Sequence, residues 1–418
     1  MKRTLPIVLI LSMLLAVACQ KGTPARTVQP QAATPEAIAT IKLGYRSADA
    51  FAKTIDQLAA AFAQRYPQYR VEKVELPEPG TELDKQLKAG AVDIITSTSL
   101  VDPELASPLD PYLDRSGPQL KNLTKASDSL RIGGHLYQLP ILLLPEGLLI
   151  NRDLWQAAGL TPPANGWTWS ELREAAAKLT RGEGADRVWG LNASMPEYLL
   201  EVYLMEKTGA PFWMAKEEDV LEALRLLAGM VLTDRSLPAP ASRDWANSMG
   251  TPVSRLLEKK QAAIEYGTVL PAAIINERLR FPWDVAPMPV GSGQRPVMRV
   301  VPTSLAMVAG TAQSDGARAF MQFAAGAEGA AIVAATGAIP ADGTAVTGES
   351  RAAMQSAAPA GTLHLLDTLW VHTPLLGENA HKVAQELRRL TNLCLRGELD
   401  ADTAVTQFVQ FRKQWITD

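Results

Sequence analysis

Between Ile41 and Ser99 the apolar spacing switches repeatedly between two periods, and that switching limits the fold more than any other feature of the chain. Ile41-Lys42-Leu43-Gly44-Tyr45 is a short alternating run that ends in a polar loop. Phe51, Ile55, Leu58, Ala59 and Phe62 then recur at helical spacing, and Pro67 stops the helix. Residues 69–76 alternate again, residues 81–89 read as a short helix, and Val92-Asp93-Ile94-Ile95-Thr96 as a compact strand followed by Ser97-Thr98-Ser99. Strand, helix, strand, helix, strand is the order of a parallel sheet with right-handed crossovers. Ligands in such sheets sit beyond the carboxyl ends of the strands. Tyr45-Arg46-Ser47 and Ser97-Thr98-Ser99 are therefore expected at one edge of a cleft.

A second segment opens at Gly133-Gly134-His135-Leu136-Tyr137-Gln138-Leu139-Pro140, a turn followed by an extended run. Residues 141–150 are almost continuously apolar, broken by Pro145, Glu146 and Gly147. Such an interrupted strand is hard to keep within one sheet and suits a chain crossing between two lobes. Asn151-Arg152-Asp153-Leu154-Trp155 starts a short helix ended by Gly159. Thr168 is an N-cap for a helix carrying Leu172, Ala176 and Leu179, with Glu171 completing a capping box. Further helices are expected over residues 197–208, 219–232, 246–259, 315–323, 350–354, 379–396 and 401–415, and strands over 262–267, 283–289 and 304–308.

The first nineteen residues combine a basic start at Lys2-Arg3, an apolar run over residues 5–15 and Ala16-Val17-Ala18-Cys19. The run is too short and wrongly flanked for a permanent membrane helix. Ala16 to Cys19 reads as a lipobox, in which Cys19 is acylated and becomes the new N-terminus; the competing reading is an A-x-A cleavage site with Cys19 unmodified. Residues 19–39, rich in Gln, Thr, Ala and Pro, then form a flexible tether. Removing residues 1–18 takes away Lys2 and Arg3 and no acid, so the exported chain is more acidic than the formal −3 of the whole. That balance speaks against a nucleic-acid partner, and Arg388-Arg389 reads as a solvated helix face. The length exceeds what one core usually serves, so two lobes are expected. Apart from Cys19 the only cysteine is Cys394, so no internal disulfide forms, and its position among Ala384, Leu387, Leu390 and Leu393 reads as buried helix. Four scattered histidines give no metal-ligand spacing, and no G-x-S-x-G occurs, so neither a metal, a cofactor nor an enzyme is expected.

An ordered set of motifs resembles the extracellular solute-binding proteins of ABC importers, specifically the sugar-binding family that includes maltose-binding protein. Gly134-His135-Leu136-Tyr137-Gln138-Leu139-Pro140 is similar to the family's G-x-x-Y-G-x-P, and residues 148–160 (LLINRDLWQAAGL) to its Y-N-K-D-L-F-x-x-A-G-L. Trp167-Thr168-Trp169-Ser170-Glu171-Leu172 resembles T-W-x-E-L, Lys260-Gln261-Ala262-Ala263-Ile264 resembles G-x-A-A-M, and Val285-Ala286-Pro287-Met288-Pro289 resembles V-A-P-x-P. Residues 317–323 are similar to the family's A-x-x-F-x-x-F helix.

The resemblance implies an α/β, two-lobed periplasmic-binding-protein fold, each lobe a mainly parallel sheet flanked by helices, joined by hinge crossovers. The first lobe would comprise residues 40–142 and 300–341, the second 143–299 and 342–418. It implies a monomer that closes on a small solute, most simply a carbohydrate, and docks on ABC permease subunits while lipid-anchored to the membrane. A lipoprotein sensor or interaction protein using the same fold is the alternative. Sugar sites of this kind stack aromatic rings on pyranose faces and hydrogen-bond the hydroxyls. The candidates are Tyr45, Arg46, Ser97, Thr98, Ser99 and Glu146, and from later in the chain Trp213, Tyr266, Trp283, Arg299, Thr303 and Ser304. Tyr266-Gly267-Thr268 lacks the tryptophan that many relatives carry there, and aromatics are only 6% of the chain, which leaves few rings for a long oligosaccharide.

Overall fold

A computed structural model describes residues 38–47, 51–98, 101–112, 130–248, 253–291, 296–342, 348, 351, 369–372 and 378–416. The leader, Cys19, Ser99 and most of the expected helix at 350–354 lie outside them. The first five elements follow the sequence periods: β1 (Ala39–Tyr45), α1 (Ala52–Arg65), β2 (Tyr69–Glu75), α2 (Thr81–Lys88) and β3 (Ile94–Ser97). Both β2 and β3 pair with β1 in parallel. Ile55, Leu58 and Phe62 of α1 are buried, and the Phe62 ring meets Phe320 edge-on at 5.2 Å. Each such burial contributes roughly 1.5–3 kcal/mol.

A two-residue hairpin, β4 (Arg131–Ile132) and β5 (His135–Leu136), leads into β6 (Gln138–Asn151). Then come α3 (Arg152–Ala157), α4 (Trp169–Leu179), β7 (Trp189–Ala193), α5 (Pro196–Thr208), α6 (Glu217–Ala228), α7 (Arg255–Glu258), β8 (Ala262–Thr268), α8 (Ala272–Arg278) and β9 (Trp283–Ala286). The chain continues through β10 (Val297–Met307), α9 (Ser314–Ala325), α10 (Ala327–Ala335), β11 (Ile339–Pro340), β12 (Leu369–His372), α11 (Glu378–Leu395) and α12 (Ala401–Trp415). The capping box before α4 is present: the Glu171 amide donates to Thr168 Oγ1 at 3.2 Å, and the Thr168 amide to Glu171 Oε2 at 2.6 Å.

The strands run β2-β1-β3-β10-β6-β8-β7, so two parallel flanks meet at a pair of long antiparallel strands. β6 remains one strand over 14 residues but exchanges partners where the apolar run is interrupted. Up to Pro145 it pairs with β10, and from Glu146 onward with β8 and β9. β10 does the same on its other edge, pairing with β12 up to Val300 and with β3 from Ser304. Its register against β6 shifts between Thr303 and Ser304. The helix expected over residues 246–259 is not continuous. Ser254 is extended (φ −66°, ψ 156°): its amide and hydroxyl both donate to the Glu265 carboxylate, and its hydroxyl accepts from the Leu257 amide at 3.0 Å to cap the four-residue α7. Cys394 is buried, and burial pushes its thiol up to about 11. Arg388 is not merely solvated, since it pairs with the buried Glu201 at 2.5 Å. No helix among the described residues is long and apolar enough to cross a membrane.

Candidate functional site

Parallel strands end together, so the loops after β1, β3 and β7 open onto one region between the two flanks. A cavity of about 240 Å³ lies there. Tyr45, Phe51 and Thr98 line it from the first flank; Ser194, Glu265 and Tyr266 line it from the second. Tyr45 is the last residue of β1, with the Lys73 ammonium 5.6 Å from its ring centroid. Arg46 sits at the rim, paired to Glu78 at 2.6 Å.

Two buried hydroxyls of the lining, Ser248 Oγ and Thr303 Oγ1, have no hydrogen-bond partner among the described residues. Leaving a buried hydroxyl unsatisfied costs about 1–3 kcal/mol. Glu265, also in the lining, is well satisfied: it accepts from the Ser254 amide at 3.0 Å, the Ser254 hydroxyl and Asn192 Nδ2 at 3.1 Å. Burial nonetheless pushes its carboxyl above the usual carboxylate range, against the pull of those bonds. The folded protein thus holds this proton to a higher pH than the unfolded chain, whose glutamates titrate near ~4.3. Ionising Glu265 therefore costs stability as pH rises from the unfolded value through the folded one. The difference in unfolding free energy between pH 5 and pH 7 is expected to be more in favour of pH 5 in the wild type than in Glu265→Gln, by at most about 1.4 kcal/mol per pH unit for one proton. Identical pH profiles from calorimetry would refute this.

The other sequence candidates divide between the cavity and its surroundings. Glu146, Arg299 and Tyr266 form a buried cluster where β6 changes partner, and only Tyr266 also lines the cavity. Arg299 Nη1 donates to Glu146 Oε2 at 2.9 Å, and the Tyr266 hydroxyl donates to the same oxygen at 2.8 Å. Burial, then the Glu146 charge, pushes the Tyr266 phenol well above its usual value, so it stays a donor. Arg299 Nε lies 3.5 Å from Glu201 Oε2, and the guanidinium covers the Tyr198 ring at 3.5 Å. Burial opposes the Arg299 charge, but Glu146, Tyr266 and Glu201 outweigh it and hold the group more basic than usual. Ser304 is buried beside the bulge and Ser97 pairs with it across β3 and β10. Trp213 packs edge-on against Phe212 at 5.1 Å, and Trp283 Nε1 donates to Asn276 Oδ1 at 2.8 Å; neither lines the cavity. Ser194, Ser248, Glu265 and Phe51 went unnominated in the sequence, because nothing in their local spacing says which face overlooks the cleft.

Two α/β flanks joined by crossing strands, with a polar cleft between their strand ends, define a two-lobed periplasmic-binding-protein fold. The profile of the bacterial extracellular solute-binding proteins matches residues 48–331, and the chain belongs to that family. Its fold is similar to that of a sugar transporter from Rhizobium etli in an open conformation, at 20% identity, with 90% of this chain and 99% of that one covered and a TM-score of 0.72. It is also similar to an ABC substrate-binding protein from Listeria monocytogenes in complex with cycloalternan, at 17% identity, 90% and 98% coverage and a TM-score of 0.70. The GacH receptor of Streptomyces glaucescens, solved without ligand and with acarbose, is similar at 21% identity, 90% and 98% coverage and a TM-score of 0.67. A search of curated protein sequences finds no match.

Proposed function

We propose that the chain is the lipid-anchored solute-binding component of an ABC importer, which captures a carbohydrate or similar polar solute by lobe closure and delivers it to a membrane permease. The observation that carries this reading is the pair of buried, unpartnered hydroxyls, Ser248 Oγ and Thr303 Oγ1, in one cavity. A solute with several hydroxyls satisfies both at once, and contacts made to both lobes only when closed favour the closed form. The solved relatives that carry cycloalternan and acarbose are consistent with a hydroxyl-rich solute. The proposed lobes are residues 40–142 with 300–341, and 143–299 with 342–418. In support, β6 and β10 change partners near those boundaries, and α12 is tied to residues 213–225 by Arg412 to the Ala215 carbonyl and Arg225 to Asp402. Export through the leader and anchoring through Cys19 complete the proposal.

A thermal-shift screen of residues 20–418 against monosaccharides, oligosaccharides and other polar solutes tests it. A ligand that binds only the folded state stabilises it by mass action, by about 2.7 kcal/mol at a hundredfold excess over Kd, and so raises Tm. At least one carbohydrate should produce such a shift, and Tyr45→Ala should weaken that ligand about tenfold, about 1.4 kcal/mol, while the ligand-free Tm stays put. If another solute class shifts Tm and no sugar does, the carbohydrate assignment fails.

A further inference from the structure

A second cavity of about 240 Å³ adjoins the first, and the two share Arg46, Thr96, Thr98 and Thr303 in their walls. Its own walls differ in chemistry. Away from the shared side aliphatic residues are in the majority, Leu76, Leu83, Leu87 and Val101 among them, with Asp84, Asp102 and Ser97 also in the wall and no aromatic ring. Most of these belong to a small hydrophobic core separate from the main one, built around β2, α2 and β3. The first cavity presents Ser194, Ser248, Glu265 and two tyrosines among apolar side chains such as Phe51, Leu144 and Leu270.

Thr303 stands at the junction. The β10 register shifts against β6 directly after it, where Ile141 of β6 is passed over. Thr303 lines both spaces, and its buried hydroxyl has no hydrogen-bond partner among the described residues. A polar atom between a hydroxyl-lined space and an aliphatic one suits the linking oxygen of a glycoside.

We propose that the ligand is amphiphilic: a hydroxylated ring held in the first cavity, carrying an apolar substituent that enters the second. This rests on the carbohydrate-binding reading above and narrows it to glycosides with an apolar aglycone. The size fits, because aliphatic cavities of about 150 Å³ already accept benzene.

Titration calorimetry of residues 20–418 tests it with paired probes, the methyl and phenyl glycosides of glucose, galactose, mannose and maltose. At least one phenyl glycoside should bind tenfold or more tightly than its methyl partner. Leu83→Glu, which charges a half-buried position on the aliphatic wall, should cut that ratio below about twofold and leave methyl glycoside affinity unchanged. Leu83→Trp, which fills the space instead, should do the same even if the charged variant is unstable. Methyl glycosides that bind as well as phenyl ones would overturn the inference while leaving sugar binding intact. A phenyl advantage that survives both variants would overturn it too, since the aglycone would then sit elsewhere. If no glycoside of either kind binds, the carbohydrate reading falls and this inference falls with it.

Discussion

Arg299→Leu should lower the unfolding free energy by roughly 3–5 kcal/mol at neutral pH, the range for removing one partner from a buried ion pair. Arg299 is 6% exposed and faces two buried carboxylates, Glu146 at 7% and Glu201 at 0%. With leucine in its place, Glu146 keeps, among the described residues, the Tyr266 hydroxyl, and Glu201 keeps Arg388. Glu201 cannot reach water, so it must remain charged at high cost or take up a proton. Burial already drives the Glu201 carboxyl above its ordinary range against the pull of Arg299 and Arg388. Losing one arginine raises it further, so the penalty should shrink as pH falls toward 5, where protonation relieves the unpaired charge. The triple variant with Glu146→Leu and Glu201→Leu should recover much of the loss, because an apolar replacement of a whole buried network is often neutral or stabilising. Urea denaturation at pH 5 and pH 7 measures all three effects. A cost below about 1 kcal/mol for the single variant would show that the cluster is not buried as described.

The position of this cluster gives it mechanical meaning. Glu146 is the residue at which β6 leaves one sheet for the other, and Arg299 is near the point where β10 changes neighbours. The ion pair therefore ties the two long strands together close to where both change partners.

Much of this architecture was legible because periodicity is local. The switch from alternating to helical spacing over residues 41–99 gave the parallel flank, and Pro145-Glu146-Gly147 marked the crossing, since proline lacks the amide that a sheet interior needs. Thr168 and Glu171 announced their capping box for the same reason: both partners lie within one turn. What escaped was set by distant partners. The broken helix near Ser254 is imposed by Glu265, eleven positions along on another strand, whose carboxylate takes the amide that a helix would have used. The sequence offers Glu146 and Arg299 as candidate ligand contacts but gives no sign that they pair with each other across 153 positions. Trp213 and Trp283 show the same limit from the other side, because an aromatic side chain in a sequence carries no sign of whether it faces a cleft or a core. The cavity's hydroxyls needed the assembled sheet before Ser248 and Thr303 could be seen together.

Gly190→Ala should destabilise the protein by about 3 kcal/mol, the upper end of the range for an overpacked interior. A Cβ at this position would lie 1.7 Å from the Ala176 carbonyl oxygen and 2.5 Å from its carbon. Those are backbone atoms of α4, so no side chain can swing away; the helix must lift from β7 or the strand must bow. The interface resists both, since the Gly190 amide donates to Thr180 Oγ1 at 3.0 Å and that hydroxyl donates to the Ala176 carbonyl at 2.8 Å. β7 leads directly to Ser194 in the cavity wall, so a displaced strand should weaken ligand binding as well as lower Tm. Gly267→Ala makes the contrast that separates the two effects. Gly267 lines the cavity, and a Cβ there meets nothing within 4 Å, so its unfolding free energy should stay within about 0.5 kcal/mol of wild type. Its methyl group occupies space that the solute needs, and affinity should fall without loss of stability. Thermal denaturation and calorimetry on both variants decide the matter: a Gly190→Ala protein as stable as wild type would disprove the close α4–β7 contact, and a Gly267→Ala protein with undiminished affinity would remove that stretch of β8 from the binding site.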